Sequence, residues 1–210
     1  IFYEDANTSR VLSEYLKSRV NIEKRDIRTI SRNKHWLHKK SLMLSHNRII
    51  FWKNILRISR AIQILHDQNI IHRNINCESI IYDLNVENDS ERFKLSGFEW
   101  TLCLYQLKKE DPILTERKLY PFASFRSDWL ALSYLICKLL DIKTTEINDS
   151  YLSSKEKKFI DNLMNYNSIS NNINLEKVEI SISSIIKELS SLDLSATRNK
   201  DYILLLHFDS

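Results

Sequence analysis

Apolar residues recur at helical spacing through much of the chain. The clearest stretch is 47–69, where Phe51, Ile55, Ile58, Ile62 and Leu65 step by four, three, four and three residues. That period predicts a helix with one buried face, ending at the turn-rich HDQN of 66–69. Residues 127–141, SDWLALSYLICKLLD, are apolar almost all round, which predicts a buried helix with Ser127 as its N-cap. Two further helices are expected over 153–165 and 181–192, the second on Ile182, Ile185, Ile186 and Leu189. Near the start, SRVLSEYLKSR (9–19) places Val11, Leu12, Tyr15 and Leu16 at helical spacing behind Ser9 as a plausible cap.

Strand signals are short. IFYED (1–5) reads as a strand running into a polar turn. IIYDL (80–84) and RFKL (92–95) read as a hairpin around the polar tip VENDSE (86–91). In the tail, 196–210, the run YILLLHF reads as a strand or a buried segment. The sum is a mainly α fold, a helical bundle carrying one small hairpin, with no internal repeat.

Composition narrows this only a little. With 210 residues and 43% hydrophobic content the chain suits one domain with a sizeable core. The net charge of +4 balances 31 basic against 27 acidic residues, so charge alone does not argue for nucleic acid. Basic residues do gather over 24–40, where Arg25, Arg28, Arg32, Lys34, Lys39 and Lys40 fit a solvated surface. His35 and His38 are three apart, but no third ligand follows at metal-site spacing. Cys77, Cys103 and Cys137 have neither disulfide nor metal spacing and read as thiols in a reducing compartment. No stretch approaches the ~20 apolar residues of a membrane span. The first residue is Ile, and the sequence reads as one domain of a longer, cytoplasmic protein.

The chemistry-bearing signal lies at IIHRNINCES (70–79) and RFKLSGFEW (92–100). Together these resemble the catalytic loop and metal-binding loop of a eukaryotic-type protein kinase, whose patterns are H-R-D-L-x-x-x-N and D-F-G. His72 and Arg73 stand where the family has His and Arg. Asn74 stands at the catalytic Asp, Ser79 at the metal-binding Asn, and Gly97-Phe98-Glu99 at D-F-G. The helix at 127–141 resembles the family's central large-lobe helix, with Asp128 at the structural Asp that bonds the catalytic-loop backbone and Trp129 beside it. YPFASF (120–125) stands where the family has Y-x-A-P-E; Pro121 is shifted and the Glu is missing. The Arg that pairs with that Glu in the family is not found over 171–180.

The resemblance implies a kinase-like large lobe over 9–194, preceded by the last small-lobe strand and hinge at 1–8 and followed by a tail at 195–210. The small lobe is absent from this chain. Hinge main-chain contacts at Tyr3, Glu4, Asp5 and Ala6 would be the place for ATP, and magnesium would be needed only by an active enzyme.

In phosphoryl transfer the loop Asp takes the substrate hydroxyl's proton and the D-F-G Asp holds the metal. Asn74 is a poor base, Gly97 has no side chain, and Ser79 offers only a neutral hydroxyl. The resemblance therefore implies a pseudokinase, a regulatory or binding domain whose partner is a protein or a fused effector domain, with no membrane and no nucleic acid called for. Two alternatives stay open. One is a divergent active Ser/Thr-type kinase with Glu99 as metal ligand, Asp83 and Asp89 being further candidates; the other is a helical module binding a macromolecule through the basic 24–40 stretch. Arg73, with no phosphorylated loop to serve, is expected to pair with Glu99, although Thr101 and Thr115 are possible phosphosites.

Overall fold

The computed structural model describes residues 9–14, 42, 44–104, 124–148, 150–165 and 175–206, the side chains of 9, 10 and 193–206 excepted. The hinge residues Tyr3–Ala6, Thr115, Pro121 and the whole of the basic 24–40 stretch lie outside them. Helix α1 spans Ser45–Asp67. Its predicted stripe of Phe51, Ile55, Ile58 and Ile62 is buried, while Lys53, Arg60 and Asp67 on the other side face solvent. The helix stops at Gln68, whose amide donates to the Leu65 carbonyl (3.0 Å), while the amide of Asn69, which has φ of +55°, donates to the His66 carbonyl (2.9 Å). Asn tolerates that left-handed turn better than most residues. It throws the chain into strand β2, Ile70–Ile71, at the entry to the candidate site.

The strands form two small antiparallel sheets. Strand β1 (Ser9–Val11) pairs with β3 (Ile80–Asp83), which pairs with β4 (Phe93–Leu95). Strand β2 pairs with β5 (Leu102–Cys103), Ile70 opposite Cys103 and Ile71 opposite Leu102. The predicted hairpin is present, with a short 3-10 turn at Asp89–Glu91 in its tip. Asn54 fastens it to α1: its side chain donates to the carbonyls of Asp89 (2.6 Å) and Ile50 (3.0 Å) and accepts from the Phe93 amide (2.9 Å). One buried amide in mid-helix thus satisfies two strand-side groups that would otherwise be orphaned.

Four expectations change. Ser9 is not a helix cap: Ser9–Val11 is a strand because the edge of β3 offers it a ladder, and helical backbone begins only at Leu12. Helix α2, Phe125–Leu140, starts earlier than expected and is capped by Ser124, whose hydroxyl accepts from the Ser127 amide. The earlier start carries Phe125 onto the His66 ring, with centroids 4.6 Å apart. Helix α3 is Ser154–Met164, with a complete capping box between Ser153 and Glu156. Helix α4 runs unbroken from Leu175 to Leu206, so the tail stretch read as a strand or a buried segment has helical backbone up to that point and is not a strand there. Helices α1 and α2 share one core, and the broadest contact of α1 is with α4. The α4 stripe of Val178, Ile182, Ile185 and Leu189 is the reason, stepping by four, three and four.

A buried ion pair that the sequence reading lacks joins α1 to α3. Arg48 Nε lies 3.1 Å from Glu156 Oε1, and both side chains are almost fully covered. Trp52 Nε1 donates to the same oxygen (2.7 Å), while the Ser153 amide donates to Glu156 Oε2 (2.7 Å). Arg48 also donates to the Leu42 carbonyl and lies over the Tyr151 ring. Removing one partner leaves a buried charge uncompensated. Glu156→Ala is therefore expected to cost about 3 kcal/mol of unfolding free energy in urea titration; a loss below about 1 kcal/mol would contradict the clasp.

Candidate functional site

Asp128 sits in the first turn of α2 and is fully buried. Its Oδ2 accepts from the His72 amide (2.8 Å) and from His66 Nε2 (2.9 Å), and its Oδ1 accepts from the Arg73 amide (2.8 Å). The two amide bonds are the arrangement that the sequence reading predicts. The third, from the end of α1, is not in that reading; the only signal for it was a His closing the helix at HDQN. Phe125 and Trp129 pack against the His66 ring and shield the carboxylate.

These bonds hold a strained turn. Arg73 has φ of +69°, a region that costs a non-glycine residue of order 1 kcal/mol or more. Charge-assisted bonds to two successive amides offset that. Within the same turn, His72 is buried and its ring is fixed from both sides. Its Nε2 donates to the Ser96 carbonyl (2.8 Å), and its Nδ1 accepts from the Asn74 amide (3.3 Å). Those partners assign the neutral tautomer with the proton on Nε2. The ring meets the Phe98 ring edge-on at 5.5 Å, which couples the first motif to the second.

The side chains of Asn74 and Ser79 make local hydrogen bonds within the loop. Asn74 Oδ1 accepts from Asn76 Nδ2 (2.7 Å). Ser79 is buried; its hydroxyl donates to the Asn76 carbonyl and accepts from the Asn76 amide, both at 3.0 Å. Asn76 Oδ1 in turn accepts from the amides of Glu78 (2.7 Å) and Ser79 (3.2 Å). Asn76 is thus the hub of the loop, and sequence reasoning passed over it because the family pattern places no chemistry there. The Ser79 carbonyl accepts from both the amide (2.8 Å) and the hydroxyl (3.1 Å) of Ser96, which draws the second motif against the first. Gly97 follows with φ of +79°, and a Cβ placed on it would stand 3.1 Å from Ser79 Cβ.

Glu99 is exposed, on a 3-10 turn of Phe98–Trp100. Its Oε1 lies 4.0 Å from the point a Gly97 Cβ would occupy, so of the acidic candidates it is the one brought to the site. Asp83 is held 2.7 Å from Lys94 Nζ, and that bond keeps its carboxyl below the usual range. Asp89 pairs with Arg92 at 2.9 Å. The expected pairing of Arg73 with Glu99 is not formed: among the described residues no ion pair joins them. Both are exposed, where such a pair gains little in water. Thr101 spends its hydroxyl on the Phe98 carbonyl (2.8 Å).

A buried Asp at the head of a central helix, holding the amides of a His-Arg turn beside a short hairpin, defines a kinase-like large lobe: a mainly α bundle with the motif loops at one end. The chain is similar to the pseudokinase PAN3 of Neurospora crassa, at 14% identity and a TM-score of 0.44, over 77% of this chain and 40% of that one. A mutant of the same pseudokinase matches at 14% identity and a TM-score of 0.46, again over 77% and 40%. A third match, at 14% identity and a TM-score of 0.45, covers 75% of this chain and 38% of PAN3 in its complex with PAN2. The chain thus spans about two fifths of the length of the structures it matches. No family model matches the sequence, and no curated protein does.

Asp128→Ala would orphan two amides and His66 in a buried site. We expect it to lower stability by about 3–5 kcal/mol, read from urea unfolding. Unfolding within about 1 kcal/mol of the unmodified chain would show that the turn holds itself.

Proposed function

We propose that this chain is a pseudokinase-like domain that acts by binding and regulation and transfers no phosphoryl group. The observation that carries the reading is the contrast within one loop. The backbone scaffold around Asp128 is intact, strained turn included, while Asn74 and Ser79 are tied into a turn around Asn76 and Gly97 has no side chain to give. A scaffold retained without its reacting groups fits a role in holding a shape for a partner. That partner is a protein or a fused effector domain. The near balance of charge supports no nucleic-acid role, and among the described residues no helix is long and apolar enough to cross a membrane. Three free thiols support a reducing, cytoplasmic setting; burial raises the Cys77 thiol and pushes Cys137 up to about 11. ATP would bind through main-chain atoms of the hinge at Tyr3–Ala6.

One observation favours a second reading, a divergent kinase. Glu99 carries a carboxylate to the neighbourhood of Gly97. Against it stand the neutral Asn74, which cannot serve as a carboxylate base, and the rule that groups acting as a unit forfeit most of the rate when one is lost. Incubated with ATP and magnesium, the full chain is expected to transfer no phosphate above background to itself or to a generic Ser/Thr substrate. Transfer that disappears in Glu99→Gln would replace the pseudokinase reading with the enzymatic one.

A further inference from the structure

We infer that Ser79 and Gly97 form a closed clasp where a kinase-like fold holds its divalent cation, so that this chain has no cation site there and needs none to keep its two motif loops together. The inference rests on the reading of the site as a pseudokinase remnant and goes further: the loss lies in the backbone as well as in the side chains.

Space is the first argument. A Cβ on Gly97 would lie 3.1 Å from Ser79 Cβ and 3.5 Å from Ser79 Cα, already at or inside contact distance. Magnesium held between donors from two positions needs each oxygen about 2.0–2.1 Å away on its own side of the ion. A side chain at 97 would press on Ser79, which would have to give by a few tenths of an ångström, so the two positions leave little room between them for an ion and two oxygens. This closeness is fastened by the Ser96 amide and hydroxyl, both on the Ser79 carbonyl.

Donor chemistry is the second argument. The Ser79 hydroxyl bonds the Asn76 amide and carbonyl, and the Asn74 carbonyl oxygen is engaged by Asn76. Asp83 and Asp89 are on Lys94 and Arg92. Among the described residues, Glu99 is the one carboxylate placed beside Gly97, and it is exposed. A hard cation that sheds its water reluctantly is not captured by one such group. The present residues therefore do not fit the metal, and the hydrogen bonds of Ser96 with Ser79 and His72 do the joining instead. Reinstating the family's residues would not reopen the site, because Asn at 79 and Asp at 97 would both add atoms where contact is already tight.

The test titrates Mn²⁺ alone into the full chain and into the triple variant Asn74→Asp/Ser79→Asn/Gly97→Asp, reading water-proton relaxation and thermal unfolding. Neither protein should show saturable Mn²⁺ binding, and the triple variant should melt about 5 °C or more below the unmodified chain. Saturable binding gained by the triple variant, or present in the unmodified chain and removed by Glu99→Gln, overturns the inference. Should the triple variant not fold, the cycle of Ser79→Gly, Gly97→Ala and the double variant decides. The loss of melting temperature on Gly97→Ala should shrink clearly when residue 79 is Gly; an equal loss in both backgrounds removes the contact and the inference with it. Phosphoryl transfer in excess EDTA would sink the pseudokinase reading and leave the clasp standing. Saturable Mn²⁺ without transfer would do the reverse.

Discussion

One carboxylate organises the site. Asp128 is buried at the start of α2 and gathers N–H groups from three places: the end of α1 through His66, and the loop backbone at His72 and Arg73. A buried carboxylate without such partners would be too costly to keep. With them, it fixes the angle at which the loop leaves β2 and sustains the left-handed turn at Arg73. The rest of the loop follows from that fixed point. His72 is set against the Ser96 carbonyl and the Phe98 ring, which positions the second motif. Ser79 and Ser96 then draw the two loops together by hydrogen bonds, and Asn76 ties the first loop to itself.

On the reading proposed above, this division of labour lets a kinase-like large lobe lose its reaction and keep its shape. The groups that transfer phosphate in the family are side chains at the tips of loops, replaceable with little consequence for the core. The groups that hold those loops are a buried Asp, a buried His and main-chain amides, and their loss would expose unsatisfied polar atoms in a dry interior. Asn74, Ser79 and Gly97 are neutral and small, and such residues can turn inward and bond one another, as Asn74 and Ser79 do with Asn76. Stability then favours the closed arrangement, because nothing charged is left in it that calls for a counter-ion.

Much of the fold was legible in the sequence. Periodicity located α1 and the buried α2, and the alternation around a polar tip located the hairpin. Asp128 was legible through the resemblance of 127–141 to the central helix of a kinase large lobe; an acidic residue opening an apolar helix would not by itself have told its role. What escaped depends on residues far apart in the chain. Arg48 and Glu156 each read as ordinary surface charges on amphipathic helices, and only folding brings them together beside Trp52. His66 and Asn76 carry polar work that neither spacing nor composition reports. Ser9–Val11 misled because helical spacing over a few residues cannot compete with an available strand edge, a tertiary fact. The helical backbone up to Leu206 shows the same limit from the other side: an apolar run such as YILLL suits strand and helix equally, and its period does not choose.

Asp128 holds the loop from beneath without help from a bound ligand. Native-state amide hydrogen exchange at His72 and Arg73, in the ligand-free full chain, reads that hold directly. The account predicts that both amides exchange as slowly as core amides of α1 such as those of Ile58 and Ile62. Exchange at the rate of an exposed loop would mean that the turn is open in solution and that the carboxylate does not carry it.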